Sequence, residues 1–158
     1  MSTKSELSLQ ALFELARNNA ARIFRQDGEI IPIWHAVPAK GEHFLIATPW
    51  KNDDEKEATV ELLREAFLEH KVQKYAFMVE AWVVEKTDTL DGPRPSEHPD
   101  RREVLRITAE DIDGHTLSGH FYILRPEHQP ATLSPFRQDP PDMLASGRMS
   151  GLLQPTKH

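Results

Sequence analysis

Residues 75–84 read Tyr-Ala-Phe-Met-Val-Glu-Ala-Trp-Val-Val, an apolar run with one charge, Glu80, near its middle. Such a run reads as a strand buried on both faces, so the rest of the chain must fold around it. A carboxylate inside the run needs a partner or stays protonated. Alternation places Ala76, Met78, Glu80 and Trp82 on one face and Tyr75, Phe77, Val79 and Ala81 on the other.

The segments on either side supply regular elements. Leu9, Leu12, Phe13, Ala16, Ala20, Ile23 and Phe24 recur at helical spacing. Ser8 caps this helix, Leu7 precedes the cap, and Gly28 stops it in the left-handed conformation. Residues 29–37 are β-branched and aromatic, and Pro32 predicts an edge strand or a bulge there. A turn at 38–41 returns the chain as a strand over 43–48. Asn52 and Glu55 form a capping box for a second helix, which runs to about Glu69 with Val60, Leu63, Ala66 and Phe67 inward. Asp53, Asp54 and Glu55 offset the positive end of its dipole.

After the 75–84 strand comes a loop over 86–101, then strands at 103–109 and 115–125 joined through Gly114. Six of the twelve prolines lie beyond Arg125, which predicts an irregular arm with one short helix near 142–153. The expected architecture is α+β: one domain over 1–125 and a Pro-rich C-terminal arm or tail over 126–158. Its element order is α-β-β-α-β-β-β, with a five-stranded, mostly antiparallel sheet and both helices on one face. This order resembles that of roadblock and longin-type domains, a resemblance that implies an interaction scaffold.

Composition excludes several function classes. The formal net charge is −6, and Arg101-Arg102 is the only adjacent basic pair. That balance argues against nucleic-acid binding, which needs a basic surface to release counterions. The chain has no cysteine, so disulfides, thiolate metal sites and a Cys nucleophile are excluded. The first residues lack the apolar core of a secretory signal, and no stretch of ~18 apolar residues exists to span a membrane. The expectation is a soluble cytoplasmic protein without a cofactor.

Candidate chemistry is confined to a few places. Glu80 is a candidate general acid or base, with His120 or His35 as its complement. Arg106 and His120 are equally candidate structural partners for it. His35 and His43 are equidistant from Ala39, so a simple hairpin sets them face to face as two metal ligands, short of the three a catalytic zinc usually takes. The proline-stiffened loop at 93–102 offers Arg94, Ser96, Glu97, Asp100, Arg101 and Arg102 for ligand or partner contact. Pro135-Phe136 and the apolar residues at 149–153 suit docking on a partner or a second copy.

The leading expectation is a small, non-catalytic protein-interaction module that binds a protein partner or itself as a homodimer. The alternatives are a small enzyme built on Glu80 and a histidine, and a sensor in which Arg101 and Arg102 hold a small anion.

Overall fold

The computed structural model describes residues 7–83, 101–139 and 152–153. Helix α1 (Leu9–Asp27) starts at Ser8, whose side chain accepts from the Ala11 N–H, and ends at Gly28 with φ 78°. Strands β1 (Ile33–Pro38) and β2 (Phe44–Ala47) form a hairpin. Helix α2 (Asp53–Glu69) is capped by Asn52, which accepts from the Glu55 N–H. Glu55 in turn accepts from the Lys51 N–H, one residue before the position a capping box uses. Strands β3 (Val72–Val83), β4 (Arg102–Asp111) and β5 (Thr116–Leu124) follow, then two short strands, β6 (Thr132–Leu133) and β7 (Arg137–Gln138).

The fold is α+β with two helices and an antiparallel sheet, as expected, but the sheet is wider. Its order is β2-β1-β3-β4-β5-β6, with β7 also paired to β5. Element order is therefore α-β-β-α-β-β-β-β-β, and the two additional strands come from the segment expected to be an irregular arm. Leu133 and Thr132 pair with Ile123 and Leu124, and Gln138 and Arg137 pair with Gly119 and His120. The arm is thus an interrupted outermost strand along β5. Pro135 sits at the interruption, where an edge strand tolerates a missing N–H.

Pro32 has a different role from the one expected. It lies just before β1, and its carbonyl accepts from the Thr48 N–H at 2.9 Å. Strand β1 is interior, between β2 and β3.

The helices lie on opposite faces, not on one. Alternation along β3 assigns Ala76 and Met78 to a core with Leu12, Phe13, Ala16, Ala20 and Phe24 of α1. It assigns Tyr75 and Phe77 to a second core with Val60, Leu63 and Phe67 of α2. A strand apolar on both faces needs cover on both. Topology provides it: β2 and β3 both run antiparallel to β1, so they are parallel to each other and α2 crosses over β1 to join them. Trp34 anchors the second core, fully buried, stacked on Phe77 at 3.8 Å between centroids and donating from Nε1 to Thr48 Oγ1 at 2.8 Å.

Two apolar anchors expected to seek a partner are used inside the chain. Phe136 packs edge-on against Phe13 and Phe121. Leu152 is buried in the α2 core, and its N–H lies 3.5 Å from the Tyr75 hydroxyl. The short helix expected near 142–153 falls outside the described residues except for 152–153, which form a turn.

Gly119 explains how the arm approaches so closely. It sits in regular register with Ile107. A Cβ there would come within 2.4 Å of the Phe136 ring and 2.7 Å of the Arg137 carbonyl oxygen. Gly119→Ala is expected to lower unfolding free energy by about 1–3 kcal/mol and to expose the arm to limited proteolysis. Unchanged denaturant midpoint and cleavage would show that the arm is not packed there.

Candidate functional site

The sheet presents one half-face that no helix of the described residues covers with an apolar stripe. On β4, Leu105, Ile107 and Ala109 enter the α1 core. Their alternates, Arg102, Val104, Arg106, Thr108 and Glu110, belong to the α2 side, where α2 packs over β1 and β3. The same face of β5 carries Ser118, His120 and Tyr122. Cross-strand register sets Val79, Arg106, His120 and Arg137 in one row over β3, β4, β5 and β7.

Polar contacts bind this face together. Asp139 follows β7, its N–H donating to the Ser118 carbonyl at 2.8 Å. Its Oδ2 accepts from Ser118 Oγ at 2.8 Å, and its Oδ1 lies 3.3 Å from His120 Nδ1. His120 Nε2 is buried without a hydrogen-bond partner. The His120 ring meets Tyr122 edge-on at 5.0 Å. The Arg102 and Arg137 guanidiniums lie 3.8 and 5.5 Å from the centre of the same Tyr122 ring, within cation–π range. Beside α2, the buried Glu110 and the Leu152 N–H both bond the Tyr75 hydroxyl, and burial pushes that phenol well above its ordinary range.

Glu80 lies on the other face. Its Oε2 accepts from the Ile30 N–H at 2.8 Å, tying down the chain between α1 and β1. Its two suggested partners, Arg106 and His120, are across the sheet and out of reach. Nearby on its own face, Arg125 binds Glu103 through two bonds of 2.6 and 2.9 Å, which hold the Glu103 carboxyl below its usual range. His35 shares the face of Glu80, but its registered neighbour Ala76 is four residues from Glu80 along β3, about 13 Å. The acid–base pair read from the sequence is therefore not assembled with either histidine.

His35 and His43 do meet, but diagonally. The hairpin register opposes His35 to Leu45, two residues from the simple turn expected. The rings still approach, with His35 Nε2 3.1 Å from His43 Nδ1. His35 is buried, its Nδ1 has no partner, and burial followed by the charge of His43 lowers its pKa below the ordinary 6.5. No third ligand joins them among the described residues. A different trio, Asp111, Asp113 and His115, gathers at the β4–β5 turn. There Asp111 Oδ1 already accepts from the backbone N–H groups of Asp113 and His115, so the trio reads as turn chemistry.

Arg94, Ser96, Glu97 and Asp100 lie outside the described residues. Arg101 and Arg102 diverge: the Arg101 guanidinium sits 4.7 Å over Trp82, and Arg102 sits over Tyr122 on the opposite face. They do not converge on one anion. Sequence reasoning missed Arg137, Asp139 and the row they complete. The visible signal was the polar alternation Arg102, Arg106, Thr108, Glu110 through an otherwise apolar strand.

Compared with known proteins, the chain matches no family model, no curated protein and no solved structure.

Two outcomes check these assignments. Glu80→Leu leaves the buried Ile30 N–H without an acceptor and is expected to cost about 1–3 kcal/mol, with Glu80→Gln costing less because it keeps an oxygen there. Equal loss in both, by denaturant unfolding, would remove the hydrogen bond as the reason. For His35, the folded pKa is depressed, so the unfolded chain takes up the proton first. Stability is expected to fall as pH drops below 6.5, levelling off once the folded state also protonates. The fall should be shallower in His35→Leu, measured as unfolding free energy between pH 8 and 5.

Proposed function

We propose that the chain is a non-catalytic binding domain that takes an extended polypeptide segment along the outer edge of β2. The observation that carries this reading is the unequal treatment of the two sheet edges. On one side the chain lays residues 132–138 along β5. On the other, β2 stays open among the described residues.

The Thr48 N–H bonds the Pro32 carbonyl, which fixes the alternation along β2. Ile46 and Phe44 therefore turn their backbone groups toward β1, and Leu45 and Ala47 turn theirs outward. Leu45 is 63% exposed beside those outward groups. An added strand would pair with them and cover Leu45, the usual logic of strand addition. The engagement of Glu80 by a backbone N–H and the burial of His35 support binding over acid–base catalysis.

Ala47→Pro removes an outward N–H and leaves the β1 ladder intact, and Leu45→Lys puts a charge on the edge. Each is expected to keep the thermal midpoint and to weaken association about tenfold or more. The readout is photo-cross-linking from a reactive residue at position 45 in cells, with sedimentation of the purified chain alongside. A dimer that Leu45→Lys dissolves identifies the segment as a second copy. Cross-linking at 45 no stronger than at the distant position 115, or adducts indifferent to both substitutions, would sink the reading.

A further inference from the structure

We propose that Arg106, His120 and Arg137 form a binding site for a dianionic phosphoryl group, on the sheet face away from α1 and remote from the β2 edge. The three residues occupy successive strands in direct register, Arg106 opposite His120 and His120 opposite Arg137. Neighbouring strands put the two arginine backbones about 10 Å apart with the imidazole between them. Long, same-face guanidinium side chains at that separation can close on one oxyanion from two sides.

Among the described residues, Arg106 is half-buried and makes no hydrogen bond or ion pair, and the Arg137 guanidinium meets the face of Tyr122 without an ion pair. The adjacent carboxylate, Asp139, accepts from Ser118 Oγ and lies 3.3 Å from His120 Nδ1. Glu110, the other acid on this face of β4, is buried and bonded to Tyr75. The Arg102 guanidinium also lies over the Tyr122 ring, 3.8 Å from its centre.

Ligand chemistry follows from these donors. Arg106 and Arg137 have no ion-pair partner among the described residues, and donors arriving from separate strands suit a tetrahedral group with several oxygens better than a planar carboxylate. A phosphoryl monoester, with a charge of about −2 at neutral pH, is such a group, and the Asp139 carboxylate beside His120 keeps its own charge and offsets part of the positive charge. The chain as a whole is acidic, at −6, so its long-range field repels anions and a bound dianion must be held by local donors. Asp139, anchored by Ser118 Oγ, lies 3.3 Å from His120 Nδ1 and borders the row.

The test is an NMR titration of the full chain at constant ionic strength, following the His120 ring protons and the Arg137 Nε–H. Inorganic phosphate and phenyl phosphate are the probes, with sodium acetate and sodium chloride as controls. Saturable shifts with either phosphate, absent with acetate and chloride, are expected. Arg106→Gln and Arg137→Gln should each weaken binding about tenfold. Tighter binding of phenyl phosphate identifies a monoester as the ligand, and tighter binding of inorganic phosphate identifies the free ion. Equal shifts with chloride or acetate, or phosphate affinity unchanged in Arg137→Gln, would overturn the site. Arg137 is exposed and its guanidinium has no ion pair among the described residues, so its variant decides the matter even where Arg106→Gln disturbs the half-buried position.

Discussion

Strand β3 is the constraint on which the structure depends. Tyr75, Ala76, Phe77 and Met78 are all buried, and they alternate between two separate cores. A strand of this kind is unstable until both its faces are covered. One face takes α1, delivered from the N-terminus. The other takes α2, which the β2–β3 crossover carries over β1. With β3 fixed, each neighbouring strand inherits a two-sided pattern through register, and the parity of every side chain in the sheet is decided.

That parity separates groups the sequence invites one to combine. Glu80 and His120 both lie on strands, both polar among apolar neighbours, yet they face opposite ways. Arg101 and Arg102 are adjacent and so point apart, each onto a different aromatic ring. Conversely, parity brings together residues far apart in the chain. Arg106, His120 and Arg137 become neighbours only because β7 pairs with β5 in the register that opposes Arg137 to His120. The polar half-face lies beyond α2, which packs over β1 and β3, and among the described residues its β4 and β5 alternates make contacts with one another, Arg137 and Asp139.

The two edges of the sheet tell a complementary story. Unpaired strand edges invite association, and chains commonly shorten, charge or cover them. The C-terminal arm covers β5 and drives Phe136 between Phe13 and Phe121. Gly119 makes that approach sterically feasible. Strand β2 is short but carries an exposed leucine and outward backbone groups, a surface distinct from the cationic row at the other end of the sheet.

Local chemistry was legible from the residues alone. Ser8, Gly28 and Asn52 mark helix ends because caps act within a few residues, and the structure places them at those ends. The 75–84 run announced a strand, since apolar content and β-branching are properties of the segment itself, but burial on both faces holds over Tyr75–Met78, and the strand beyond is half-buried with Trp82 exposed. The hairpin at 33–47 and the β4–β5 pair were equally local. What the tertiary structure decided was everything that depends on the phase of one strand relative to another. The two-residue difference in the β1–β2 register, the placement of the helices on opposite faces and the docking of the arm all belong to that class. So do the partner of Glu80, a backbone N–H from a loop fifty residues earlier, and the row of Arg106, His120 and Arg137. Sequence carries alternation within a strand, but only pairing converts alternation into proximity.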